Sequence, residues 1–308
     1  MPYVAPYVHR TPLLPSRMLS EASGFEVRLK AEVLQRTGSY KIRGPLYKLA
    51  QLTEEERQRG VICSSAGNHA QGVALAAAML GISAVVVMAE NATPSKVAAT
   101  RGYGAEVVLH GTIWDEADQK ARELVAERGL TYVHPFDDPD LIAGQGTIGI
   151  EIHEDWPEVE QVIVPVGGGG LISGISTALK QIDPGIRVIG VESADGAAMK
   201  ASVDRGELVT LDTVDTVVDG LRVKRVGEHT FELVRRFVDD IVTVPDDVIF
   251  RNVAWVMTYC KLVAEGAAAA TVAALREGLV EAPAGTKTVC VLSGGNLDLS
   301  PLADLRWN

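Results

Sequence analysis

Four short segments hold the residue types that could do chemistry on a small ligand: QVIVPVGGGGL at 161–171, TGSYKIRG at 37–44, CSSAGNHAQG at 63–72 and VLSGGNLD at 291–298. In the first, a β-branched run meets Gly167, Gly168, Gly169 and Gly170, and Leu171 then opens a helical pattern. Glycines allow close backbone approach, and a helix start offers unpaired amides at its positive end; together they form a phosphate cradle. A plain turn of four glycines would lose much chain entropy on folding, so phosphate binding is the better reading. The second segment sets Lys41 beside Arg43 and Tyr40. A lysine next to a second cation and an aromatic ring is expected to have a lowered amine pKa, as imine chemistry requires. A lone lysine is otherwise a solvated surface residue. In the third, a strand end leads through Ser65, Ala66, Gly67, Asn68 and His69 into an alanine-rich helix. Its amides and hydroxyls could hold a carboxylate, leaving Asn68 to hydrogen-bond a ring substituent, whereas a helix cap needs only one polar residue. The fourth ends a strand at Ser293 before a Gly-Gly turn, and by itself reads only as a turn.

A dinucleotide is the main rival ligand. Its fingerprint needs G-x-G-x-x-G, but the sixth position here is Ile172 counted from Gly167, or Ser173 counted from Gly168. Glu192, ending the next strand, does stand where a ribose-binding acid would. That reading leaves the other three segments without a role.

Short β-branched runs alternate with helical patterns along the chain. Strands are predicted at 84–88, 106–109, 161–166, 188–192 and 288–292, and helices at 95–103, 114–128, 171–181 and 228–237. Thr93 before Pro94 reads as a cap and first turn. Near-continuous apolar strands predict a parallel sheet covered by helices on both faces, with ligands at the strands' carboxyl ends. The turn-rich HPFDDPD at 134–140 is read as a hinge.

The 308 residues allow about two domains. A net charge of -11 argues against nucleic acid and anionic membrane surfaces as partners. Cys63, Cys260 and Cys290 are too scattered for a disulfide framework or zinc site; Cys63 and Cys290 read as buried strand residues. A reducing, cytoplasmic setting is expected, and the N-terminus lacks the apolar core of an export signal. The apolar stretch from Val73 to Ala89 is split by Gly81 and Ser83 into pieces too short to span a bilayer.

Taken together and in order, the four segments, HRTPLL at 9–14 and HPFDDPDLIAGQGT at 134–147 resemble the fold-type II pyridoxal-phosphate enzymes, in the threonine/serine dehydratase (ammonia-lyase) branch. The resemblance implies an α/β fold like that of the tryptophan synthase β-subunit: two domains, each containing a parallel sheet, with the cofactor in the cleft between them. It implies a larger domain from residues 1–49 and 137–308, a small mobile domain from 50–136, and a homodimer; the short tail after Ser300 leads to the expectation of no C-terminal regulatory domain. Carried over by motif, Lys41 would bind pyridoxal 5'-phosphate as an imine, with Tyr40 beside the ring. Asn68 would hydrogen-bond the ring 3'-oxygen, and Gly167, Gly168, Gly169, Gly170 and Leu171 would bind the phosphate. Ser293 would face the pyridine nitrogen and Gly220 would line the cofactor face. Ser65, Ala66, Asn68 and His69 would receive the substrate carboxylate. Glu265, in KLVAEGAAAA, is either a family glutamate near the ring or a first-turn acid complementing a helix dipole. The remaining histidines, His9, His110, His134, His153 and His229, have no catalytic or metal-ligand spacing.

Neighbouring activities differ at single positions. Sulfhydrylase-like relatives carry TSGNT where this chain has SAGNHAQG, and VKRVGEHTF at 223–231 looks like the threonine dehydratases. Serine racemase-like relatives have a serine where Ala66 stands, so racemisation is expected to be weak or absent. Relatives that bind a divalent cation use a glutamate and an aspartate; Glu192 matches the first, but Ala198 replaces the second. No essential metal is expected, although Asp195 keeps a weak site open. Phenylalanine is usual where Tyr40 stands. The expected reaction is dehydration and deamination of L-threonine and L-serine to 2-oxobutanoate or pyruvate plus ammonia. Alternatives are the same chemistry on 3-hydroxyaspartate or phenylserine, serine racemase-like activity, a nucleotide-binding dehydrogenase, or an idle cofactor-binding protein.

Overall fold

In a computed structural model the chain is described over residues 1–297; Asp298 of the fourth segment and the tail after Ser300 lie outside the described residues. The strands are β1 (Leu13–Pro15), β2 (Glu26–Ala31), β3 (Val61–Ser64), β4 (Ala84–Met88), β5 (Glu106–Leu109), β6 (Thr131–Tyr132), β7 (Gln161–Pro165), β8 (Arg187–Ser193), β9 (Asp240–Val244) and β10 (Lys287–Leu292). The helices are α1 (Arg17–Ser23), α2 (Arg43–Gln51), α3 (Glu54–Arg59), α4 (Asn68–Leu80), α5 (Pro94–Gly102), α6 (Trp114–Arg128), α7 (Pro139–Asp155), α8 (Gly170–Ile182), α9 (Ala198–Arg205), α10 (Glu228–Phe237), α11 (Asp246–Trp255) and α12 (Gly266–Arg276).

Two sheets form. One has the order β1-β2-β10-β7-β8-β9 and the other β5-β4-β3-β6. Every pairing is parallel except β1 with β2, an antiparallel edge that the expectation of parallel sheets did not include. Both faces of the larger sheet are dry, which explains why its strands read as unbroken apolar runs. Along β7, Val162 and Val164 pack with Ile172, Ile175 and Leu179 of α8, while Ile163 turns to the alanines of α12. The smaller sheet repeats this: Val61, Cys63, Val86 and Met88 meet α4, and Ile62, Val85 and Val87 meet α6. Ile42, Leu46 and Leu49 join the core of the smaller sheet, while α2 also packs along α7. The segment carrying Lys41 is therefore wedged between the two sheets.

Among the described residues no helix is long and apolar enough to cross a membrane. Cys63 and Cys290 are buried strand residues, as their sequence context predicts. Thr93 does occupy the N-cap of α5 ahead of Pro94, but its side chain makes no capping hydrogen bond, so proline supplies the start signal there.

Candidate active site

Strands β3, β7 and β10 deliver three of the four segments, all from their carboxyl ends, the position at which parallel sheets hold ligands. The segment at 37–44 is stitched to the end of β10. Ser39 bridges Gly294, the Tyr40 amide donates to the Ser293 carbonyl at 3.0 Å, and the Gly295 amide donates to the Gly38 carbonyl at 2.8 Å. This fixes the short helical turn Tyr40–Ile42 that carries Lys41. Helix α4 presses on the same turn, since any Cβ added at Gly72 would collide with the Lys41 carbonyl.

Lys41 Nζ donates to the Pro135 carbonyl at 2.9 Å and lies 5.3 Å from the centre of the Tyr40 ring. Burial pushes its ammonium down to about 8, with the charge of Glu265 acting in the opposite direction. The sequence expectation that Arg43 lowers this pKa is corrected. The fully buried Arg43 guanidinium binds Glu32 at 2.8 Å and Glu151 at 2.7 Å, and Glu151 also binds Lys30 at 2.7 Å. Arg43 is thus spent on a charge-balanced cluster joining β2, α2 and α7, and desolvation acts on Lys41 instead.

Gly167, Gly168 and Gly169 turn from β7 into α8, with Gly169 at the N-cap in a left-handed conformation (φ 93°) that favours glycine. Among the described residues the amides from Gly167 to Leu171 have no hydrogen-bond acceptor. Five free donors at a helix start fit a phosphate well. Phe136 lies against Gly168, where a Cβ would run into its ring, and the Gly220 carbonyl would be 2.5 Å from a Cβ at Gly167. Gly168→Ala is expected to weaken pyridoxal-phosphate binding at least tenfold, roughly the worth of one or two lost charge-assisted hydrogen bonds. Titration of the cofactor-free protein would measure it, and unchanged affinity would remove this loop from the cofactor site.

Hydrogen bonds tie the stretch 134–140 to its neighbours. His134 Nδ1 accepts from the Asp137 amide at 2.8 Å, and Asp137 accepts from the amides of Glu228 at 3.0 Å and Thr230 at 3.1 Å. Thr230 Oγ1 then donates to the Gly168 carbonyl at 2.8 Å, and Asp138 caps α7 through the Asp140 and Leu141 amides. These contacts strap the lysine's acceptor to the glycine loop.

Ser65, Ala66 and Gly67 lead into α4, whose first residue is Asn68 rather than a loop position. The Gly67 amide donates to Ser65 Oγ at 3.2 Å. Asn68 Nδ2 lies 2.8 and 3.0 Å from the two carboxylate oxygens of Glu265, and Asn68 Oδ1 accepts from Asn296 at 2.8 Å. Glu265 occupies the N-cap of α12 without capping it, and its side chain faces Asn68. Burial raises Glu265 to about 7, against the lowering effect of the Asn68 hydrogen bond. His69 is buried, with Nε2 3.0 Å from the Val133 carbonyl, and burial, helped by the charge of Lys41, pushes it down to about 3. It is neutral at ordinary pH. Ser293 follows β10 and is buried. Burial and the nearby Glu265 charge push the Tyr40 phenol upward.

Glu192 makes a structural contact that the sequence reading did not include. Its buried carboxylate accepts from the amides of Met199 at 2.9 Å and Lys200 at 2.7 Å, at the start of α9. Each oxygen takes one amide at that helix end. Catalysis is expected to persist in excess chelator; loss of most activity, restored by magnesium, would refute this. Pro135, Phe136, Asp137, Thr230 and Asn296 were not singled out by type and spacing, although all five lie inside segments whose sequence had stood out.

The chain belongs to the family of pyridoxal-phosphate dependent enzymes, whose model matches residues 4–294. It is 50% identical to the L-threonine ammonia-lyase of Thermotoga maritima over 95% of this chain and 73% of that protein. The processed form of threonine deaminase isoform 2 from Solanum lycopersicum matches with a TM-score of 0.93 and 40% identity, over 96% of this chain and 87% of that one. Maize serine racemase matches with a TM-score of 0.94 and 35% identity, over 98% of this chain and 93% of that one. The α/β fold of the fold-type II enzymes and the pyridoxal-phosphate cofactor expected from sequence both follow.

Proposed function

We propose that this chain dehydrates and deaminates L-threonine, and L-serine, to 2-oxobutanoate or pyruvate plus ammonia. The observation that carries the reading is the meeting of Lys41, the five free amides from Gly167 to Leu171, and the Asn68 carboxamide at one set of strand ends. Likeness to the threonine ammonia-lyase supports the substrate class.

When bound, pyridoxal phosphate acidifies the Cα proton of an amino acid and accepts the electrons released. Lys41 would hold the cofactor covalently, and its amine would take the Cα proton once freed. An amine pKa near 8 suits it to accept a proton near neutrality. The glycine-loop amides would anchor the phosphate, while Tyr40, Gly220 and Glu265 would border the ring. Ser293 would face the ring nitrogen as a neutral partner, which would favour expulsion of the β-hydroxyl over long-lived charge on the ring. Ser65, Ala66, Asn68 and His69 would take the substrate carboxylate, with His69 acting as a neutral wall. Ala66 has no hydroxyl, so no second acid/base stands on the opposite face from that position.

Residues 50–136 contain the whole smaller sheet, and in this proposal they close over the substrate while residues 1–49 and 137–308 hold the cofactor. A homodimer in the cytoplasm completes the proposal, from family resemblance and three free cysteines. The test measures 2-oxo acid and ammonia release from threonine, serine, 3-hydroxyaspartate and phenylserine, alongside D-serine formation. Threonine is expected to turn over fastest. Preference for either bulkier substrate would replace the substrate assignment, and racemisation matching ammonia release would replace the reaction.

A further inference from the structure

Asn68 can serve a cofactor ring in two ways, because a carboxamide turned over exchanges a donor for an acceptor. Which face it shows is decided by its neighbours. We propose that Asn296 is a positioning residue that fixes the Asn68 carboxamide with its NH2 group toward Glu265 and the cofactor. The proposal rests on the reading of Asn68 as the residue facing the cofactor's ring oxygen.

The direction starts at a group that cannot reverse. The Thr37 carbonyl only accepts, and Asn296 Nδ2 donates to it at 2.7 Å. The same nitrogen donates to Asn68 Oδ1 at 2.8 Å. With its oxygen so occupied, Asn68 must point Nδ2 the other way, where Glu265 accepts at 2.8 and 3.0 Å. A chain of fixed polarity thus runs from Thr37 through Asn296 and Asn68 to Glu265. Glu265 alone would be an unreliable anchor, since a carboxyl group accepts when ionised and can donate when protonated. The Thr37 carbonyl has no second state. Room for this arrangement is built into the chain: Gly38 has φ 70°, and a Cβ there would lie 2.5 Å from Asn296 Oδ1. The Gly295 amide on the Gly38 carbonyl holds the two strands of backbone together at that point.

Asp and Leu have nearly the shape of Asn but differ in what they ask of Asn68. Asn296→Asp offers only acceptors, so it draws Asn68 Nδ2 toward itself and turns its oxygen to the cofactor. Asn296→Leu removes the donor without imposing the reverse. Asn296 is exposed, so neither change should unfold the protein; thermal melting checks this. The readouts are the dissociation constant of pyridoxal phosphate and the pH at which the visible band of the bound cofactor changes. Asn68→Ala is expected to weaken cofactor binding roughly tenfold, the scale of one well-made hydrogen bond, and to shift the band. Asn296→Asp should match that effect, Asn296→Leu should fall well short of it, and N68A/N296D should be no worse than N68A. If Asn68→Ala changes both readouts and Asn296→Asp neither, the proposal is overturned and the cofactor contact of Asn68 stands. If Asn68→Ala changes nothing, both fall. Equal effects of Asp and Leu, additive with Asn68→Ala, would reduce Asn296 to ordinary packing and also overturn it.

Discussion

Lys41→Ala protein is expected to release 2-oxo acid from threonine on the order of 1,000-fold more slowly than wild type, or slower still. The loss combines two roles, covalent attachment of the cofactor and proton transfer at Cα, both of which need an amine at that position. Added ethylamine should recover a small part of the rate, because a free amine can do the second job without the first. A variant retaining a tenth of wild-type activity would sink the assignment. The pH dependence of cofactor uptake by the stripped protein carries its own sign. Only the unprotonated amine attacks an aldehyde, and burial lowers this ammonium from 10.5 to about 8. Uptake should therefore climb about tenfold per pH unit below 8 and level off above it. A climb that continues to pH 10 would mean that Lys41 is not desolvated.

Arg43→Met is the substitution expected to damage stability most. It leaves the carboxylates of Glu32 and Glu151 buried with one cation, Lys30, between them, where the intact cluster holds two of each sign. Breaking a buried ion pair from one side typically costs about 3–5 kcal/mol, chiefly through the charge left unpaired. Urea unfolding followed by tryptophan fluorescence would measure it. Pairing the change with Glu32→Gln should recover part of the loss, because the second substitution removes one of the stranded charges. A shift below about 1 kcal/mol would show that the cluster tolerates imbalance through water or proton uptake.

The glycine loop and Asn68 stood out in local composition at the end of an apolar strand, and Lys41 drew notice only in combination with them. Helices 114–128 and 228–237 and strands 84–88 and 106–109 were legible to the residue from their apolar pattern. Arg43 was misread because proximity in sequence is not proximity in a helical turn. Residues two apart point to different sides, and the backbone that aims Lys41 at Pro135 aims Arg43 at Glu151. Pro135 escaped notice for another reason. It acts through a carbonyl that every residue possesses, so no residue type marks it. Asn296 lies at the opposite end of the chain from Thr37 and meets it only once β10 is seated. The roles of 134–140 were hidden in the same way: its turn-forming residues are the ones a hinge would use, and its partners lie on α8 and α10.

The Lys41–Pro135 contact also bears on how this site drifts under mutation. A main-chain acceptor cannot be deleted by any codon change at position 135; a replacement residue brings its own carbonyl to the same place. Sequence change can move that oxygen only by rerouting the backbone, and His134, Phe136 and Asp137 hold the route from three sides. Natural variants should therefore be tolerated at 135 more readily than at its neighbours, an asymmetry that saturation mutagenesis under threonine selection would reveal.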